Sequence, residues 1–278
     1  MPKKSPNHLR NKSIAVIGLG QIGGSIVKRL SPLRPAITLL AHDRDRRLAS
    51  KAARYATWIT DLKQLVAQSD LIILAVPVPA IIALLDQIAE LREPRRSRPL
   101  VMDTGTVKHL IQQAALKHKS RFDYIGLHPL AGSEGEGWKS SRPDLFEGRT
   151  IICTNASAVR RPQTRELISI LGASMTTMAA RMHDRLVAEA IGLPHILAFA
   201  AQGMSSSNPL RAGSWASLTR VAASNPEMVA GFLSTNASEQ NKAIARFEKE
   251  LARLKRALAD RSGRALAKLL ADRQRTQE

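Results

Sequence analysis

The stretch SIAVIGLGQIGGS, Ser13 to Ser25, decides the fold. A short apolar run, Ile14-Ala15-Val16-Ile17, leads into Gly18-x-Gly20-x-x-Gly23, and an apolar segment from Ile22 to Leu30 follows. That order of strand, turn and helix places a pyrophosphate on a helix N-terminus. Gly18 permits the tight turn, Gly20 the approach of backbone to phosphate, and Gly23 the close packing of helix on strand. Gln21 and Ile22 lie in the same cofactor-binding loop. A second apolar run, Ala36 to Ala41, ends at Asp43, twenty residues after Gly23. A carboxylate there accepts from the adenosine ribose hydroxyls and repels a 2′-phosphate, which favours NAD. Arg44, Arg46 and Arg47 follow at once and keep NADP open as the alternative. A buried strand closes at Val76-Pro77-Val78-Pro79, so Val76 and Pro77 join the cofactor-lining set.

Composition bounds the rest. The 278 residues are enough for two modest domains, and 44% hydrophobic content is ordinary for a globular chain. No run of eighteen uncharged apolar residues is present, so no membrane span is expected. The start, MPKKSPNHLRNKS, is basic and lacks the apolar core of a secretory signal. The single cysteine, Cys153, excludes an internal disulfide and fits a reducing cytoplasm. It sits in an apolar run and reads as a strand residue. The net charge of +19 raises the question of nucleic acid. The basic residues are scattered, and only 4% of the chain is aromatic, which argues against a stacking platform for single strands. Of the seven histidines, His118, His128, His183 and His195 lack metal-ligand spacing with cysteines or acids, and no metal is expected.

The first half alternates strand and helix patterns. Strands are expected at 13–18, 36–41, 70–76, 99–103, 124–128, 149–153 and near 174–178. Helices are expected at 21–30, 45–54, 61–68, 80–91, 106–117 and 160–171. This is an α/β pattern, a Rossmann-type doubly wound sheet over residues 1–179. From residue 180 to 278 strand signals vanish, and helices are expected at 182–203, 214–223, 226–237 and 238–260. In the last of these, Ile244, Phe247, Leu251, Leu254 and Leu258 form one apolar stripe, read as both core and partner surface. Residues 261–278 are charged, with Leu266, Leu269 and Leu270 as a short last anchor.

Three further segments carry chemistry: DTGTVK at 103–108, HPLAGSEGEGWKSSRPDLFEGR at 128–149, and His183-Asp184 with GLPHILAFA at 192–200. Thr106 is a candidate cap for the helix that follows it. Together with the glycine loop and LTRVAASNP at 218–226, these segments resemble the prephenate and arogenate dehydrogenase family of tyrosine biosynthesis. The resemblance spans Ser13 to about Pro226. It implies a cyclohexadiene substrate, prephenate or arogenate, that loses a hydride to the nicotinamide and its ring carboxylate as CO2. It places the catalytic histidine at His128, where a neutral imidazole accepts the hydroxyl proton. Thr106 stands where the family has serine and would hydrogen-bond His128 or the substrate hydroxyl. Arg220 matches the substrate-binding arginine, and a guanidinium grips a carboxylate bidentately. His195 is expected to line the substrate pocket. His183 either touches ligand or positions Asp184 or the domain junction. Ser133 and Glu134 belong to the substrate loop, where Glu134 orients the loop or gates the pocket.

The chain departs from some relatives at Val229, Ser217 and Gly135, which in the family border the substrate side chain or pocket rim. The choice between prephenate and arogenate therefore stays open. The alternatives are oxidation of 4-amino-4-deoxyprephenate, a 3-hydroxyacid or imine substrate on the same architecture, and a non-enzymatic dinucleotide sensor or nucleic-acid binder. The apolar helical half and the resemblance both imply a homodimer.

Overall fold

Apolar residues on both faces of β1 (Ser13–Ile17) set it at the heart of an eight-stranded sheet. The computed structural model describes residues 8–92, 98–132, 135–154, 161–204, 211–260 and 262–275. After β1 come α1 (Gln21–Leu30), β2 (Thr38–His42), α2 (Ala49–Ala52), β3 (Thr57–Trp58), α3 (Leu62–Gln68) and β4 (Leu71–Leu74). Then follow α4 (Val78–Leu91), β5 (Leu100–Asp103), α5 (His109–Lys117), β6 (Asp123–Pro129), β7 (Thr150–Cys153), α6 (Pro162–Leu171) and β8 (Ser174–Thr177). The strand order is β3-β2-β1-β4-β5-β6-β7-β8, parallel except where β7 runs against β6. The order reverses between β1 and β4, the crevice where an open α/β sheet binds its ligand.

The two-residue period of the strands divides the core. Ile14, Val16, Leu39, Ile73, Met102 and Ile125 face α1 and α6. Ala15, Ile17, Leu40, Ile72, Leu74 and Val101 face α3, α4 and α5. α4 presents Val78, Ile81, Leu85 and Ile88 to that second layer at helical spacing. Val187, Val229 and Phe232 from the helical half join the same cluster.

That half comprises α7 (Ala180–Val187), a π turn (Ala188–Gly192), α8 (Leu193–Gly203), α9 (Gly213–Thr219), α10 (Pro226–Thr235), α11 (Ala237–Ala259) and α12 (Gly263–Gln274). The π turn ends at Gly192, where α11 packs closely. α11 drives Gln240 so close that a Cβ on Gly192 would lie 2.1 Å from its Nε2.

Several expectations need correction. The helix expected at 45–54 splits into a 3-10 turn, Arg46–Leu48, capped by the Asp45 carboxylate, and the single turn α2. The edge strand β3 was not expected; two residues carry no periodicity. α5 begins at His109 rather than 106, and Thr106 does not cap it. The run 182–203 is broken by the π turn, and 214–223 ends in a 3-10 turn, Arg220–Ala223. The stripe on α11 is not core within one chain: the helix buries Gln240 and Ala243, while Leu251 and Leu258 are exposed. The last anchor is a full helix, α12, whose N-terminus is capped by Ser262 accepting from the Ala265 N–H at 3.2 Å. Arg160, where one expected helix began, lies outside the described residues.

Candidate active site

The glycine loop joins β1 to α1 at the crevice. Gly18 has φ +92°, and a Cβ there would lie 2.4 Å from the Ala75 carbonyl oxygen and 2.5 Å from Cγ1 of Val76. A Cβ on Gly23 would lie 1.9 Å from the Gly18 carbonyl oxygen. Both glycines are demanded by the protein itself. Gly20 is different, because a Cβ there meets nothing within 4 Å. It caps the N-terminus of α1 with no side-chain bond, and the first turn, which holds Gln21 and Ile22, carries no acid. The open space lies over a helix N-terminus, the positive end of the helix dipole, which suits a pyrophosphate. Asp43 lies beside the same loop. Its Oδ2 accepts from the Leu19 N–H at 2.6 Å and its Oδ1 from the Asp45 N–H at 2.8 Å. Each oxygen keeps a second lone pair for a ribose hydroxyl. Arg44 is exposed, and Arg47 is paired with Asp45 at 2.8 Å. Pro77 caps α4 on the other wall of the crevice.

A second group of side chains meets beyond the carboxyl ends of β5 and β6. His128, on β6, is buried, and its Nδ1 lies 2.9 Å from Nε2 of His183 on α7. Nδ1 of His183 lies 2.8 Å from Oδ1 of Asp184. The same carboxylate accepts from the Lys108 N–H and the His109 N–H, each at 2.7 Å. Asp184 thereby caps α5 from another helix, in the place expected of Thr106. Asn236 donates to the Asp184 carbonyl at 2.8 Å and holds α7 against α11.

The acceptors dictate the tautomers. A carboxylate only accepts, so Nδ1 of His183 carries the proton and its Nε2 is bare in the neutral ring. That nitrogen accepts from Nδ1–H of His128, which leaves Nε2 of His128 as a free lone pair. Burial, then the neighbouring His183 and Lys108, hold the His128 imidazole well below its ordinary range. The ring is a neutral base.

The other expected residues are placed less tightly. Thr106 lies half-buried on the turn between β5 and α5. Its expected bond to His128 is not made through Nδ1, which faces His183. His195 donates from Nδ1 to the Ile191 carbonyl at 2.8 Å and stands edge-on to Phe232 at 5.4 Å. Arg220 is exposed at the start of its 3-10 turn. Ser133 and Glu134 lie outside the described residues. Among the described residues no cluster of three metal-ligating side chains occurs. Burial pushes the Cys153 thiol up to about 12, which makes it an inert strand residue.

The description "Prephenate dehydrogenase, nucleotide-binding domain" matches residues 29–177, and "Prephenate dehydrogenase, dimerization domain" matches 179–272. The chain belongs to the prephenate dehydrogenase family. It is 30% identical over 267 residues to a prephenate dehydrogenase of Lactococcus lactis subsp. cremoris, covering 92% of this chain and 73% of that one. It is 28% identical over 268 residues to a cyclohexadienyl dehydrogenase of Zymomonas mobilis subsp. mobilis, covering 91% and 90%. A solved prephenate dehydrogenase from A. aeolicus, in complex with hydroxyphenyl propionate and NAD+, shares the fold with a TM-score of 0.85. That match has 23% identity and covers 98% of this chain and 99% of the other.

In this member of the prephenate dehydrogenase family, residues that the sequence did not single out lie behind the histidines. Lys108 is fully buried and pairs through Nζ with Oδ1 of Asp103. Oδ1 of Asp103 also accepts from the Gly105 N–H at 2.7 Å, and its Oδ2 accepts from the Tyr124 hydroxyl at 2.5 Å. The only sequence signal was an acid and a lysine at the two ends of DTGTVK. Tyr124 enters through the register of β5 and β6, where it pairs with Val101.

Proposed function

We propose that the chain catalyses the NAD-dependent oxidative decarboxylation of prephenate to 4-hydroxyphenylpyruvate. The observation that carries the reading is His128, buried, neutral and oriented with a bare Nε2 beyond the strand ends. Residues 1–179 bind the dinucleotide, and residues 180–278 complete the substrate pocket and pair two copies. Gly18, Gly20, Gln21, Ile22 and Gly23 cradle the pyrophosphate, Asp43 accepts from the ribose hydroxyls, and Val76 and Pro77 line the crevice. Arg44, exposed beside Asp43, flanks the adenosine.

A bound NAD would supply the hydride acceptor for a reaction in which the ring carboxylate is lost as CO2 and the ring becomes aromatic. His128 accepts the hydroxyl proton at Nε2, and His183 and Asp184 hold the imidazole in that tautomer. The Thr106 hydroxyl, which caps no helix, orients the substrate hydroxyl. Arg220 grips a substrate carboxylate. In the neutral His195 ring the bond to Ile191 leaves Nε2 bare, so it accepts from substrate or water in the pocket. Ser133 and Glu134 are assigned to substrate binding on the family resemblance of their segment alone.

A homodimer fits the helical half. The run Ala180–Gly203 has a mean hydropathy of 1.3 over its most apolar window, long and apolar enough by composition to cross a membrane, and only 22% of that window is buried in one chain. His183 and Asp184 on this run bond to His128 and α5, so it is a packed helix of the domain. A second copy is the cover its open face requires. Light scattering should give twice the chain mass of 30.4 kDa.

The deciding experiment is the appearance of reduced nicotinamide with prephenate and with arogenate, each offered NAD and NADP. Turnover of prephenate with NAD is expected. Turnover of arogenate alone reassigns the substrate, a preference for NADP reassigns the cofactor, and no turnover by protein that binds NAD overturns the reading.

A further inference from the structure

Lys108 presents two ends to the histidine pair. Its backbone N–H donates to Oδ1 of Asp184, the same oxygen that orients Nδ1 of His183. Its side chain turns inward and is completely buried, with Nζ on the Asp103 carboxylate. The stem crosses β6 over Gly126, where a Cβ would lie 2.9 Å from Cδ of Lys108, 3.0 Å from the Tyr124 hydroxyl and 2.6 Å from Oγ1 of Thr154. Gly126 lies two residues before His128 on the same strand. The missing Cβ is therefore the channel through which an ammonium reaches the rear of the catalytic strand. A cation with no exposure is rarely kept for stability alone, since its desolvation offsets most of what its partner returns.

We propose that Lys108 is a positioning residue for His128: its buried ammonium and its N–H, acting from opposite ends, keep the catalytic imidazole uncharged and its Nε2 directed to substrate. The inference rests on the dehydrogenase reading for its consequence in catalysis.

The groups around His128 support it. From α7 come His183 and Asp184, whose carboxylate is satisfied by two N–H groups and the His183 ring. From β5 and the N-cap of α5 come Asp103 and Lys108, from β6 Tyr124, and from β7 Cys153. Asp103 receives the ammonium, the Gly105 N–H and the Tyr124 hydroxyl, three donors in all. Burial drives the Lys108 ammonium down and the Asp103 carboxylate drives it back up. Tyr124 is raised well above the ordinary phenol range, first by burial and then by Asp103, and stays a donor. Cys153 stays a thiol. The ammonium is then the positive charge that opposes protonation of His128, and His128 is pushed down by it.

Lys108→Met keeps the stem and removes the charge. Asp103 is left unpaired behind the strand, and both changes ease protonation of His128. The acid limb of the kcat/KM profile should move up by about one pH unit. Below both midpoints the variant's activity should be about tenfold under that of the wild type, and the two profiles should converge on the alkaline side, with KM for NAD unchanged. A merely structural role would depress the profile equally at every pH, and that result overturns the proposal. Imidazole 15N spectra give a readout apart from activity: the His128 titration midpoint should lie well below the ordinary value in the wild type and rise in the variant. An unmoved midpoint in a folded variant also overturns it. If Lys108→Met does not fold, the wild-type Lys108 15Nζ signal decides: a protected ammonium at neutral pH supports the proposal and a neutral amine overturns it. Wild-type protein that turns over no substrate yet shows the depressed His128 midpoint would defeat the dehydrogenase reading and leave the link between Lys108 and His128 standing.

Discussion

The two halves of the candidate site are built by opposite means. The dinucleotide crevice is made of backbone: three glycines within six residues and one carboxylate turned back onto the loop they form. The histidine site is made of side chains drawn from β5, the turn after it, β6 and α7, with Asn236 between α10 and α11. A backbone site needs the absence of side chains at fixed spacing, which is a local property. A side-chain relay needs the register of a sheet and the docking of a helix, which are not. The first tolerates change around it and fails at single positions. The second fails by degrees as its links are removed.

The sharpest way to break this contrast is His128→Asn. Loss of the base should lower kcat by about a thousandfold with little change in dinucleotide affinity. Steady-state kinetics and NAD titration check it, and retention of most activity would place the base elsewhere. Next come two glycines with the same substitution. Gly23→Ala forces a Cβ onto the Gly18 carbonyl oxygen and should destabilise the fold by about 3 kcal/mol. Gly20→Ala meets open space in the protein, so its melting temperature should hold while NAD affinity falls about tenfold. Equal effects of the two on melting would erase the distinction between glycines kept for the fold and a glycine kept for the ligand.

Asp184→Asn should act on both ends of its network. It breaks the tautomer chain and lowers kcat by about a hundredfold, and it removes half the cap of α5, costing about 1 kcal/mol of stability. Chemical denaturation and kinetics on the same variant separate the two effects. The smallest expected effect is on pH. His128 has its folded-state pKa depressed below about 6.5, the value for an unfolded chain. The unfolded state therefore binds the proton first, and the contribution of His128 to stability, present above that pH, is lost as pH falls below it. His128→Asn should flatten this part of the stability curve.

Much of the fold was legible because it rests on local patterns. β1 and β5 lie within one residue of the expected strands, since parallel strands buried on both faces read as apolar runs. The start of α5 was misread by three residues because its cap, Asp184, lies 75 positions downstream of His109. His128 and His183 could each be named, but their contact depends on where α7 docks. Lys108 closed the DTGTVK segment with no role of its own, and the glycine at 126 shows where its stem goes. The stripe on α11 was legible as apolar and read as both core and partner surface, because periodicity gives a face and says nothing of what lies against it.

Asp184 spans the seam between the helical half and the sheet half, with its carboxylate on the first amides of α5 and its neighbour His183 on His128. The first turn of α5 and the orientation of the His128 ring therefore hang on one carboxylate, so the docking of α7 and the proposed base share a single fate.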